Sequence, residues 1–438
     1  MHHDIPISPA SSPLAEEYAA IARGDHATGG RGTVRFAVST DDPTEGKGDL
    51  FVALGLARAL RAEGWGVDVW PTRRWAEDVP EDTTVLVSMI ESFVPGLVPA
   101  ATATVAWVRN WTAQWATAPY LREFDAVWAS SAIAREALTR AYDGPVEVVP
   151  IGVDTDLFTS TADPASGPAT EEIDGRTDRT VATVNFWGVR RRVQDVLAEV
   201  APQQPIVWFA ANVEHVEPAP GVELRPAVPY FALPEVYRAA AFVVDDVIAP
   251  AAEYGTLNSR LYESLACGAL PVTDCALGLD ELGLADVPVF TDATSLERAI
   301  AMPAAERTEL VERLRAVVVE RHSYRTRAAR VAPSLDAVVA TAQTRTGARD
   351  PLLRFAALQR EELRETARER DVHRSGVEEI NRRLIVSEEA LAVHDRARQV
   401  AEAERDAIAR RYEDLTVSAE FRLLQRVGGV ARILRRQR

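Results

Sequence analysis

The sequence has almost no lysine: Lys47 is the one ammonium among 438 residues, and every other fixed side-chain cation is arginine. A bias this strong reflects coding composition, so arginine counts by themselves carry little functional weight. Cysteine is nearly as scarce, with only Cys267 and Cys275. Two cysteines in apolar surroundings read as small core residues, not as the disulfide framework of a small secreted domain. Long apolar runs are missing too: no stretch approaches the roughly 20 residues that a membrane span needs. Residues 1–31 are polar and rich in Ser, Pro and Gly, unlike a signal peptide. These absences predict a cytoplasmic chain. Positive charge is also in deficit, 49 Lys and Arg against 65 Asp and Glu for a net −16, which argues against non-specific nucleic-acid binding. The seven histidines have no metal-ligand spacing, and no Ser-His-Asp or Cys-His arrangement can be argued.

What is present is an ordinary globular composition, 47% hydrophobic and 26% charged, in a chain too long for one core. Residues 1–32 read as a flexible leader. An apolar strand at 34–39 runs into the turn-rich Asp41-Asp42-Pro43-Thr44-Glu45-Gly46-Lys47-Gly48. An amphipathic helix over 50–63 and a second strand at 67–70 follow. This strand–loop–helix–strand order opens a Rossmann-like unit. Strands at 84–88, 103–108, 126–129 and 146–150, with helices at 113–123 and 132–142, complete an N-terminal domain over 33–158. Residues 159–178, rich in Pro, Ser, Thr, Gly and acids, read as a linker. The alternation restarts with strands at 180–185, 206–210, 222–224, 242–245, 270–274 and 287–290, giving a second Rossmann-like domain over 179–340. The fold class is therefore α/β, two facing Rossmann-like domains with a cleft between them.

From residue 351 the character changes. Residues 352–427 hold no proline and a single glycine, Gly376, and are dense in Glu, Arg, Ala and Leu, which predicts a long helix. Val377, Ile380, Leu384, Leu391, Ala401, Ile408, Tyr412 and Leu415 fit heptad a and d positions, while His394, Arg398 and Arg405 interrupt them. A coiled-coil homo-oligomer and a helix folded back on the second domain both remain open. The extension, 351–438, ends in FRLLQRVGGVARILRRQR, basic and amphipathic in an otherwise acidic chain. That pattern suits an anionic membrane surface at the inner face of the cell membrane, or simply a cationic helix end.

The richest stretch is EYGTLNSRLYESLACGALPVTDCALGLDEL, residues 253–282. A polar loop opens a helix, a carboxylate sits one turn in, Cys267-Gly268 closes it, and an apolar strand follows at once. In an α/β protein this puts backbone N–H groups and a carboxylate at the carboxyl edge of a parallel sheet, where phosphate and ribose are held. In the first domain, Gly46 and Gly48 lack G-x-G-x-x-G spacing and suit plain helix capping, yet the first βα loop is where a donor phosphate or an acceptor passes. Asp154-Thr155-Asp156 superficially matches a D-x-D metal motif, but its place after a Val-Pro-Ile-Gly strand reads as structural.

The order LFVALGLARALRAEGWGVDVW, VPIGVDTDLF, VNFWGVRRRVQDVL, LPEVYRAAAFVVDD and NSRLYESLACGALPVTD resembles the GT-B glycosyltransferases. It is most similar to the retaining family-4-like clan (glycosyl transferases group 1), in particular the bacterial spore-maturation-type branch with its R-x-[FY]-E-x-x-A-C-G signature. The resemblance covers about residues 33–335. It implies a metal-independent hexosyltransferase without cofactor, taking a nucleotide-sugar donor on its second domain and a glycan or lipid-linked acceptor on its first, in making cell-surface polysaccharide or glycoconjugate. By the same resemblance Glu263 would accept hydrogen bonds from the donor ribose, and Asn258, Ser259 and Arg260 would line the phosphate site. Arg190 and Arg192 lie where the clan places basic groups on the diphosphate, with the choice among Arg190, Arg191 and Arg192 open.

Two departures stand out. The clan's Glu-x7-Glu pattern needs its first glutamate at position 255, where this chain has Gly255. That leaves the retaining outcome open. The usual acceptor-side histidine is not evident either. Trp107, Arg109, Asn110 and Trp111 stand at a strand end instead, and aromatic faces with an arginine suit sugar stacking. A catalytically silent scaffold of a polysaccharide assembly complex, and a sugar-nucleotide epimerase of the same shape, are the alternative readings.

Overall fold

The computed structural model of the chain describes residues 12–161, 179–185, 191–202, 204–211, 219–346, 349–419 and 422–426. It contains two parallel sheets. The first runs β2-β1-β3-β4-β5-β6, built from β1 (Thr33–Val38), β2 (Gly66–Pro71), β3 (Thr83–Ser88), β4 (Ala103–Val108), β5 (Ala126–Ala129) and β6 (Val146–Val148). Its helices are α1 (Pro13–Ala22), α2 (Gly48–Ala62), α3 (Thr112–Thr117) and α4 (Ala132–Thr139). The second sheet runs β11-β10-β7-β8-β9, from β7 (Arg179–Ala182), β8 (Ile206–Ala210), β9 (Val222–Pro226), β10 (Ala240–Asp245) and β11 (Leu270–Thr273). Around it lie α5 (Arg192–Glu199), α6 (Leu233–Arg238), α7 (Ala249–Ala252), α8 (Ser259–Cys267), α9 (Ala293–Ile300) and α10 (Ala304–Arg321). The chain continues as α11 (Tyr324–Ala342) and α12 (Pro351–Val417).

The central strands read as they should for sheets covered on both faces. All six residues of β1 and of β10 are buried, including Arg35 in β1, which pairs with Asp68. The strand expected at 287–290 is reduced to an isolated bridge between Thr273 and Val289, because that stretch meets β11 at a single residue.

The leader expected over residues 1–32 is corrected from residue 12 onward, and residues 1–11 lie outside the described residues. Ser12 caps α1 through Ala15 N–H at 3.1 Å, and Pro13 occupies the first turn, where its missing N–H costs nothing. Tyr18 and Ile21 are fully buried. Two apolar side chains three apart are too short a stripe to identify a helix by pattern; burial against α2 makes it one. Most of the expected linker, residues 162–178, also lies outside the described residues.

After α10 the chain returns to the first sheet. Val153 bridges to Ser323, its N–H donating to His322 O at 3.0 Å while Tyr324 N–H donates to Val153 O at 2.9 Å. From there α11 packs on α2, β3 and β4 of the first domain. Asp154 joins this seam: it accepts the Tyr18 hydroxyl at 2.7 Å and faces Arg58 Nη1 at 3.1 Å. Asp156 pairs with Arg58 at 2.9 Å and Arg325 at 3.4 Å. The D-x-D triplet thus ties α1, α2 and α11 together.

The start of α12 is anchored on the first domain, where Leu353 and Ala357 are buried with Val94 and Leu97, and Arg354 pairs with Asp78. The residues beyond 361 form a separate compact unit. In it Leu391, Ile408 and Tyr412 are about two-thirds exposed (67%, 69% and 70%). No described helix is long and apolar enough to cross a membrane. Of the basic tail, residues 421 and 427–438 lie outside the described residues.

Candidate functional site

The carboxyl edge of the second sheet gathers the charged groups. β10 ends in Asp245, followed by Asp246, and these side chains are 0% and 1% exposed. Arg191, immediately before α5, reaches Asp246 with Nε at 2.6 Å. Arg260, in the first turn of α8, places Nη1 3.2 Å from Asp246 and Nε 3.7 Å from Asp245. Asn258 caps α8: its Oδ1 accepts Arg260 N–H at 2.9 Å, and its amide donates to Asp246 O at 2.6 Å. The helix N-terminus, two arginines and two aspartates thus occupy one place.

Burial sets the electrostatics. The Asp245 carboxyl is pushed up to about 7 by loss of water, against the pull of Arg260. Asp274, beyond β11, is raised to about 6 for the same reason. Glu263 lies one turn into α8, 5% exposed, and burial raises it to about 7 despite a hydrogen bond from Ser259 and the charge of Arg260. Three phenols feel its charge: Tyr230, Tyr237 and Tyr324, each raised chiefly by burial. A buried oxygen, Asp245 Oδ1, and a buried nitrogen, Arg191 Nε, lack aligned hydrogen-bond partners.

Asn258, Ser259, Arg260 and Glu263 are therefore brought together. Of the arginine run, Arg191 meets the aspartates. Arg192 is exposed and donates to Thr291 O, and Arg190 lies outside the described residues. Gly46 and Gly48 belong to the first domain, where they flank open space at the N-terminus of α2; Gly46 is left-handed (φ 63°). Asp245 and Asp246 were missed. Their signal was present, since paired aspartates at the carboxyl end of an apolar strand are unusual and point at the sheet edge.

On the acceptor side the structure separates the tryptophans. Trp107 is fully buried, its indole N–H donating to Val149 O at 2.8 Å and its ring edge-on to Trp128. Its expected place in an acceptor cleft is corrected: as the penultimate residue of β4 it points into the core. Trp111, 37% exposed, is the one non-glycine residue with positive φ (58°) among the described residues, a strained conformation typical of sites. Arg109 and Asn110 are partly buried at the same strand end, and Arg109 Nε has no partner. Burial lowers Arg109 from the usual guanidinium range, against the charge of Asp49 in α2.

The domains meet around this cleft. Tyr230 stacks on Phe51 at 3.8 Å, Ser130 and Thr256 share a hydrogen bond of 2.5 Å, and the Glu281 carboxylate accepts Ala132 N–H at 2.9 Å. Gly255, at φ 65°, lies against Gly278, whose added Cβ would fall 2.2 Å from Gly255 O. The left-handed φ favours glycine at 255, where any side chain would be strained.

Residues 177–332, the second domain, match the family model described as glycosyl transferase-like. The Anabaena protein HepE, solved with UDP-glucose, superposes with a TM-score of 0.53 at 13% identity, over 69% of this chain and 99% of that one. Sucrose-phosphate synthase from Thermosynechococcus elongatus superposes with a TM-score of 0.51 at 14% identity, over 70% of this chain and 99% of its own. The chain has the GT-B fold, and its second domain is glycosyl transferase-like. No curated protein sequence matches it. At these identities the likeness is one of fold, so the roles of individual side chains rest on the geometry described above.

Proposed function

We propose that this GT-B protein transfers a sugar from a nucleoside diphosphate donor to a glycan or lipid-linked acceptor. The observation that carries the reading is the convergence of the Asn258-capped N-terminus of α8, Arg191, Arg260 and the buried Glu263 at one sheet edge. A helix N-terminus and planar fixed cations stabilise the diphosphate as the glycosidic bond breaks, so no metal is required for that charge. Glu263, as carboxylate, accepts hydrogen bonds from the ribose hydroxyls. HepE, which has the same fold, was solved with UDP and with UDP-glucose, which supports this donor class.

The acceptor hydroxyl enters from the first domain past Arg109, Asn110 and the exposed face of Trp111. Closure of the seam between Phe51 and Tyr230 excludes water, so that the acceptor rather than water attacks the anomeric carbon. With Gly255 at the clan's first glutamate position, the transferred sugar is contacted by other groups. The heptads of α12 supply a homo-oligomer, and the basic tail brings the enzyme to an anionic membrane where lipid-linked acceptors lie.

Thermal-shift and calorimetric titration with UDP, GDP, dTDP, CMP and ADP, in EDTA, test the donor site. A rise in Tm with one nucleoside diphosphate is expected, since a ligand of the native state stabilises it. No shift with any of them leaves a silent GT-B scaffold as the better description.

A further inference from the structure

The donor reading uses Arg191, Arg260 and the N-terminus of α8, but it has no task for the residue that touches all three. Asp246 follows β10 and is 1% exposed. Its Oδ2 lies 2.6 Å from Arg191 Nε and its Oδ1 3.2 Å from Arg260 Nη1. Its backbone carbonyl accepts the Asn258 amide at 2.6 Å, and Asn258 in turn caps α8. One residue thus fixes both cations and the helix cap between them.

The physics of the cluster needs such a residue. Two guanidiniums in one small space repel, and the charge of Arg260 does oppose that of Arg191. Each side chain also carries rotamer entropy that must be lost before it holds a ligand. A carboxylate between them removes the repulsion and selects one geometry. It consumes few of the five N–H donors on each guanidinium, so both keep donors for an anion. Asp245, whose burial raises it to about 7, leaves Arg260 partly uncompensated near neutral pH.

We propose that Asp246 is a positioning residue of the donor site, holding Arg191 and Arg260 side by side so that their other N–H groups meet a diphosphate at the N-terminus of α8. This role rests on the donor reading above. It predicts a sign that simple charge neutralisation does not. If Asp246 merely competed for the arginines, removing its charge would tighten diphosphate binding; as a positioning group, its loss weakens it.

The test is calorimetric titration of the full chain with UDP, GDP, dTDP and ADP. Asp246→Asn is expected to bind the diphosphate preferred by the wild type about tenfold more weakly, the scale of one charge-assisted contact. In an Arg191→Gln, Arg260→Gln background the same substitution is expected to add no further loss, because its effect passes through those side chains. Equal or tighter binding by Asp246→Asn overturns the proposal, and so does a full additive loss in the double background, the mark of a structural role only. Should Asp246→Asn not fold, Arg191→Lys keeps the charge without the planar fork and is expected to weaken binding similarly; wild-type affinity there overturns the proposal as well. A wild type that binds none of the four diphosphates is a different result: it removes the donor reading, and the role of Asp246 with it.

Discussion

Tyr324 at the start of α11 lies against Gly55 in the middle of α2, so close that a β-carbon at position 55 would stand 2.4 Å from the ring. The contact joins the helix returning from the second domain to the central helix of the first.

Gly55→Ala is therefore expected to destabilise the protein by about 1–3 kcal/mol through overpacking, although alanine is the better helix former. Denaturant unfolding measures it. An unchanged or higher midpoint would mean that the ring has room to move.

Glu263 predicts a pH dependence of donor binding. Its carboxyl, raised to about 7 chiefly by burial, accepts ribose hydrogen bonds best when ionised. Affinity for a nucleoside diphosphate should fall as pH drops from 8 to 6. Groups facing it include Ser259, Arg260, Asp245, Tyr230, Tyr237 and Tyr324, so the comparison is with Glu263→Gln, whose profile is expected to be flatter. Glu263→Ala should weaken binding at least about tenfold with the fold intact. Parallel profiles for wild type and Glu263→Gln would assign the ribose contact elsewhere.

His322 predicts a pH dependence of stability. Its Nδ1 accepts from Arg327 at 2.7 Å and its Nε2 faces Leu282 O at 2.8 Å, which fixes the neutral tautomer. Burial, with the positive charge of Arg327, lowers it from 6.5 to about 4. The unfolded chain then binds more protons between those values, so this contribution is whole above pH 6.5 and is lost as pH falls toward 4. It amounts to something on the order of 3 kcal/mol. His322→Gln, which keeps a donor and an acceptor, should lose less stability than wild type between pH 7.5 and 5. Equal slopes in urea melts would refute this.

The tryptophans separate core from cleft. Trp107→Ala should cost about 3–5 kcal/mol, the range for a buried aromatic. Trp111→Ala should stay within about 0.5 kcal/mol of wild type while lowering transfer to acceptor and leaving nucleotide affinity unchanged. A large stability loss at Trp111 would mark it as structural.

Leu391→Asp with Ile408→Asp, both on the heptad stripe of α12, is expected to convert an oligomer into a monomer by sedimentation equilibrium. A wild type that already sediments as a monomer would rule out the α12 assembly.

Much of the architecture was legible in the chain. Periodicity switched between apolar strands and amphipathic helices, Pro and Gly marked their ends, and two such series predicted two parallel sheets. The proline-free stretch after residue 351 predicted α12. Local chemistry also announced α8: Asn258 before Ser259 is a cap, and Gly268, left-handed at φ 89°, is a stop.

Tertiary structure decided what local pattern could not. Trp107 and Trp111 are four residues apart in the same aromatic cluster, yet one is buried in a sheet and the other half-exposed beyond its end. Arg191 and Arg192 are neighbours in one basic run, and the position of β10 brings Asp246 to Arg191 while Arg192 turns to Thr291. The helix at residues 13–22 exists because α2 offers a surface for Tyr18 and Ile21. Sequence marks most of the elements, because their apolar periodicity and end signals are local. Which side chains meet at a sheet edge depends on strand order and crossover, which are set by non-local burial and leave little trace along the chain.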